Sequence, residues 1–186
     1  MKSAILTKIT KNANSIWKSR CLKSEIMNEA LEAVEKDLLS KKDCSEYICL
    51  IEECLKSSDA SVRRKASWCL AKMGQNKTQN ADVYELLLNL PCGDDSEIKE
   101  NMLWGIGEIA GAGIGDERSV LVICHGLSDE NPRIRGMAAW AAERIMSRLG
   151  MFSDELSEKL HELKNDPSPY VRKSVSFADE YLKKRL

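Results

Sequence analysis

The sequence has almost no net charge: 28 Lys and Arg stand against 29 Asp and Glu, leaving −1 at neutral pH over 186 residues. The basic excess of a general nucleic-acid binder is missing. No apolar run approaches the roughly 18 residues of a membrane span, and no charged start leads into an apolar stretch of the secretory kind. Seven cysteines (Cys21, Cys44, Cys49, Cys54, Cys69, Cys92, Cys124) are odd in number and nowhere spaced C-x-x-C. That pattern indicates neither a complete disulfide framework nor a zinc site, so the cysteines read mostly as small buried apolar residues. Cytoplasmic location is the expectation.

What remains is ordinary for a folded chain, with 43% hydrophobic and 31% charged residues. The length allows one domain, 1–186, with a substantial core. Charge is uneven along it. Residues 1–23 carry six cations (Lys2, Lys8, Lys11, Lys18, Arg20, Lys23) and no acid, so one end is basic and the body mildly acidic. An apolar stripe of Ile5, Ile9, Ala13, Ile16 and Trp17 predicts a capping helix within residues 1–22.

The chain repeats. "DASVRRKASWCLAKMG" from Asp59, "DSEIKENMLWGIGEIA" from Asp95, "NPRIRGMAAWAAERIM" from Asn131 and "SPYVRKSVSFADEYLK" from Ser168 align. Val62, Ile98, Ile134 and Val171 come into register at intervals of 36, 36 and 37 residues. Each precedes a basic residue (Arg63, Lys99, Arg135, Arg172), and six positions later stands Trp68, Trp104, Trp140 or Phe177. Val62, Ala66, Cys69 and Met73 trace the stripe of an amphipathic helix. A second helical pattern ends upstream at Leu55, Leu90, Leu127 or Leu163, joined by turns rich in Asp, Ser, Asn, Gly and Pro. Each unit is therefore helix, turn, helix. A fainter unit has Ile26 in register with Val62 and Glu32 in the aromatic position. Helix pairs are expected at about 23–57, 45–75, 81–111, 117–149 and 153–184.

These units, with an Asp-rich turn and a "VR..A..AL..MG" second helix, resemble HEAT repeats, especially the short PBS-lyase HEAT-like kind, over about residues 25–184. The resemblance implies an all-α, right-handed α-α superhelix of about five two-helix repeats whose second helices line a concave side. It implies scaffolding rather than catalysis, and a ladder of turn acids and following cations between repeats. That role carries over to Asp59 with Arg63 and Asp95 with Lys99, and to Arg135 and Arg172, whose turn acids are shifted.

"WGIGEIAGAGIG" from Trp104 contains Gly105, Gly107 and Ala110 in the relaxed dinucleotide spacing G-x-G-x-x-A. Gly105 and Gly107 align with Cys69 and Ala71 inside a second helix, not between a strand and a helix, so the fingerprint lacks its context. The two glycines cost helix stability, roughly 1 kcal/mol each, which predicts close backbone packing or a locally softer helix.

At 100° per residue the aromatic of each repeat lies about 120° from the branched residue, between the inter-repeat seam and the concave surface. Small residues such as Ala71, Gly107 and Ala139 are expected to form a floor that admits a ligand. Beside the aromatics run Lys72, Glu108, Arg144 and Tyr181, expected to ion-pair between repeats, with Arg64, Glu100 and Lys173 on the flank. The function expected is a non-catalytic scaffold that binds a polypeptide on its concave face. The candidate contacts are Trp68, Trp104, Trp140, Phe177, Arg64, Glu100, Glu108 and Arg144. No cofactor, metal, nucleic acid or membrane is expected. His125 is expected to be half-buried on a first helix. Two alternatives rest on the resemblance. One is a DNA-binding or alkylated-base glycosylase-type protein, to which Trp104 and Glu108 are superficially similar although Glu97, Glu100 and Glu108 oppose a phosphate backbone. The other is a chromophore lyase subunit, which nothing beyond the repeat supports.

Overall fold

The computed structural model describes residues 20–77 and 80–183, so the cap expected within 1–22 lies outside the described residues except where the first helix begins. Nine α-helices and no strand occur among the described residues: α1 Arg20–Leu39, α2 Ile48–Leu55, α3 Ala60–Asn76, α4 Asn80–Leu88, α5 Ser96–Ala110, α6 Glu117–Leu127, α7 Pro132–Leu149, α8 Asp154–Glu162 and α9 Pro169–Leu182. Single 3-10 turns at Ser45–Tyr47 and Leu163–Asn165 adjoin α2 and α8.

Turn chemistry starts these helices where the repeat register places them. Asp59, Asp95, Asp116, Asn131 and Ser153 are N-caps whose side chains accept hydrogen bonds from backbone N–H groups of the first turn. That satisfies donors with no partner inside the helix, and each cap contributes about 1 kcal/mol. Pro132 and Pro169 occupy first helical positions, where the missing N–H is not needed. At the other end α7 stops on Gly150 in the left-handed region, φ +64°, whereas α3 stops on Lys77 at φ +60°, a conformation that costs a side-chain-bearing residue energy.

The helices form two layers. α1, α3, α5, α7 and α9 stack side by side, each against the next, and α2, α4, α6 and α8 cover one side of that stack. This is an α-α solenoid. Val62, Ile98, Ile134 and Val171 are buried to 1% exposure or less, as the register predicts, and with Leu70, Met73, Ile106, Ile123 and Ile145 they form one continuous core. Gly105 lies inside α5, where a Cβ would come within 2.6 Å of Leu87 and 3.1 Å of the Ala71 Cα. Its lack of a side chain lets α5 approach both α3 and α4.

Candidate functional site

The aromatic column lies on the side of the second-helix layer that the first helices leave uncovered. Trp68 on α3, Trp104 on α5 and Trp140 on α7 are half-buried, while Phe177 on α9 is 54% exposed. The Trp68 and Trp104 rings stand 6.4 Å apart, tilted by 43°. Trp140 turns the edge of its ring back over Gly107 of the previous repeat, filling the space a side chain there would need.

That packing corrects the expected floor. Ala71 and Ala139 are fully buried and Gly107 is buried too, so these small residues form no open channel. At Gly107 the missing side chain makes room for the next repeat's aromatic ring instead of a ligand. A second aromatic, unsuspected from the column, does the same one repeat later. Tyr170 lies across Gly136, where any Cβ would strike its ring, yet remains 45% exposed. Its place on the wheel, about 20° from Phe177, was the available signal.

The expected ladder exists with different partners. Arg64 Nε donates to Asp95 Oδ2 and Oδ1 at 2.9 and 3.2 Å, Lys99 Nζ to Asp129 Oδ2 at 2.9 Å, and Arg135 Nε and Nη2 to Asp166 at 2.8 and 3.0 Å. Each cation reaches forward into the next repeat's turn rather than back to the acid of its own. Asp95 is thus paired with Arg64 and not with Lys99, and Asp59 caps Ser61 rather than meeting Arg63. The reason lies in the cap: an N-cap carboxylate faces its own first-turn N–H groups, and its open flank faces the preceding repeat. Arg63, Arg135 and Arg172 also donate to turn carbonyls six residues back, at Ser57, Asp129 and Asp166. The Arg135 guanidinium holds the buried Asp166 carboxyl below the usual carboxylate range.

Beside the aromatics, Glu108 Oε1 accepts from Trp104 Nε1 at 3.2 Å and from Gln75 Nε2 at 3.1 Å, and Gln75 in turn accepts from Lys72. The expected Lys72 to Glu108 ion pair is therefore bridged by an amide, which no charge pattern would have indicated. Arg144 makes no inter-repeat pair among the described residues; its guanidinium lies 5.1 Å from the Trp140 ring centre. On the flank Glu100 is taken by Arg133 at 2.8 Å. Lys173 is exposed. Inside the seam, Asn101 Nδ2 donates to Ser67 Oγ at 2.9 Å, a buried bond between repeats.

Other reactive groups are chemically quiet. Burial pushes the Cys54 and Cys69 thiols up to about 12 and the Cys92 and Cys124 thiols up to about 11, so at neutral pH they stay protonated. Against the buried reading, Cys49 is exposed on α2 and Cys92 is half-buried. His125 sits on first helix α6 but is exposed rather than half-buried, because it points into a shallow groove with Leu121, Ser128 and Lys159. Among the described residues no helix is long and apolar enough to cross a membrane, and no three His, Cys, Asp or Glu residues are grouped to hold a metal.

Neither a protein-family model nor a curated protein matches the chain. Solved structures do. A designed armadillo repeat protein in complex with the peptide (KR)4 is similar at TM-score 0.62 and 18% identity, over 84% of this chain and 75% of that one. An engineered protein matches at TM-score 0.63 and 20% identity, over 87% and 76%. A chain from a structure of microtubule plus-end tracking by XMAP215, CLIP-170 and EB1 matches at TM-score 0.57 and 23% identity, over 97% and 80%. At such identities the likeness is one of architecture, and it shows a HEAT-like repeat fold.

Proposed function

We propose that this solenoid is a non-catalytic, cytoplasmic scaffold that binds a polypeptide across the uncovered side of its second-helix layer, the side expected to be concave. The observation that carries this reading is the aromatic column itself. Four rings stand in register on adjacent helices, half-buried at Trp68, Trp104 and Trp140 and open at Phe177. Large rigid side chains with one face packed and one face wet lose little entropy on binding and suit the anchors of an interface. The buried thiols are protonated, and the Glu108 carboxylate is engaged by Trp104 and Gln75. The structurally similar designed armadillo repeat protein in complex with (KR)4 lends support to a polypeptide as ligand.

Affinity capture from the native source tests this, with the intact chain against a Trp104→Phe, Phe177→Ser variant whose melting is checked first. A polypeptide held by the intact chain and lost by the folded variant supports the reading. Unchanged capture, or nucleic acid as the co-purifying species, overturns it.

A further inference from the structure

The uncovered side of the second-helix layer alternates in charge from helix to helix. At 100° per residue, the positions within about 60° of the aromatic column are Glu25, Glu29, Glu32 and Glu35 on α1, with Lys36 the exception. On α3 they are Arg64, Lys65 and Lys72, on α5 Glu97, Glu100 and Glu108, and on α7 Arg133 and Arg144 against the single acid Glu143, with Arg148 just beyond. Neighbouring rows neutralise one another. Lys65 lies 3.5 Å from Glu32 and 3.3 Å from Glu35, Arg64 lies 2.9 Å from Asp95 and 3.7 Å from Glu97, and Arg133 lies 2.8 Å from Glu100.

The alternation fails at α9. An acidic row belongs there, yet the same positions hold Tyr170, Phe177 and Tyr181, with Lys173 and Glu180 cancelling. Arg144 and Arg148 consequently have no carboxylate partner among the described residues. The Arg144 Nε is buried against Trp140 without an acceptor, so the planar guanidinium is held on the ring. A guanidinium fixed in this way is pre-organised for a carboxylate, since little freedom is left to lose. On the neighbouring α9 stand the two most exposed aromatics of the layer, Phe177 in register with Trp140 and Tyr170 farther along at Gly136. Phe177 has no seat of the kind Trp140 finds at Gly107, since the equivalent position before it is Glu143.

We propose that this α7–α9 end of the layer docks an acidic segment of a partner protein that also carries apolar side chains. Carboxylates meet Arg144 and Arg148, an apolar side chain covers Phe177, and the partner supplies the acidic row that α9 lacks. The proposal rests on the interaction-surface reading and narrows it to one end and one charge. A second copy of this chain is a poorer occupant, since Lys65 already lies against Glu32 and Glu35 of its acidic helix α1.

Fluorescence anisotropy of the full chain with two labelled synthetic peptides tests it. They are equal in length with leucines at the same positions, one filled with Glu and the other with Lys. The acidic peptide is expected to bind about tenfold tighter than the basic one and to weaken as salt screens the contact. Arg148→Gln, exposed and free of packing, and Phe177→Ser should each weaken it several-fold without shifting the melting curve. Equal or tighter binding of the Lys peptide overturns this inference and leaves the wider surface reading standing. Binding of neither peptide overturns it as well, and the capture experiment then judges that wider reading alone. Acidic binding unchanged in both variants places the contact elsewhere and overturns it. So does self-association of the chain, measured by sedimentation, that Arg148→Gln abolishes.

Discussion

Trp140 packs its six-membered ring over the backbone of Gly107, one repeat upstream, so closely that a Cβ on the glycine would overlap the ring. Gly107→Ala therefore sets two effects against each other. Alanine is the better helix former by roughly 1 kcal/mol, while overpacking against a rigid ring costs typically 1–3 kcal/mol. The clash is expected to prevail, lowering stability by about 1 kcal/mol and moving tryptophan emission to the red as the ring lifts into water. In Trp140→Leu the same alanine should stabilise. A stabilised single variant would mean that the ring is not seated there.

Ile134 is 1% exposed in the seam of its repeat, and Ile98 is equivalent. Replacing either by Ala leaves a cavity that the stacked helices on both sides keep from collapsing, at a cost of roughly 2–5 kcal/mol. Denaturant melts check this, and a loss below about 0.5 kcal/mol would overturn the register.

The Arg135–Asp166 bond is the most enclosed of the ladder, with side chains 16% and 3% exposed. The folded carboxyl is held below its ordinary value by Arg135, so the proton is bound more weakly in the folded than in the unfolded chain. The stability this contributes is full above the unfolded value of about 3.9 and is lost as pH falls through the lower folded value. Asp166→Asn should cost about 3 kcal/mol at pH 7, leaving Arg135 enclosed without its anion. The penalty should shrink toward pH 2, and one constant between pH 7 and pH 2 would refute the coupling.

The repeat was legible because burial of one branched residue per unit is a one-dimensional signal: Val62, Ile98, Ile134 and Val171 announce the stack on their own. The turns were legible for the same reason, since their Asp59, Asp95 and Asn131 bond within three residues of themselves, although the resemblance assigns Asp59 and Asp95 to the ladder rather than to helix caps. Partners across the seam were not. Arg64 to Asp95, Gln75 to Glu108 and Tyr170 on Gly136 depend on how far each helix advances over the last, which no local pattern carries. The small floor residues misled because an alanine or glycine marks close approach without saying what approaches.

Packing and recognition should separate along the aromatic column, because the residue seating each ring changes. The position three residues after the preceding aromatic is Ala71 for Trp104, Gly107 for Trp140 and Glu143 for Phe177. A ring over a small residue is half-buried between two helices, and its removal opens a void there. Phe177, with Glu143 at that position, remains 54% exposed, and its removal opens no such void. Trp140→Ala is accordingly expected to cost about 3 kcal/mol, toward the low end for aromatic truncation because one face is wet. Phe177→Ala should stay within about 0.5 kcal/mol, as surface changes do. Glu143→Gly offers the converse: Phe177 gains a seat like that of Trp140, and the ring should become less accessible to surface labelling despite the glycine's cost to α7. If Phe177→Ala destabilises as much as Trp140→Ala, the open ring is structural, and the docking surface at the α7–α9 end loses its anchor.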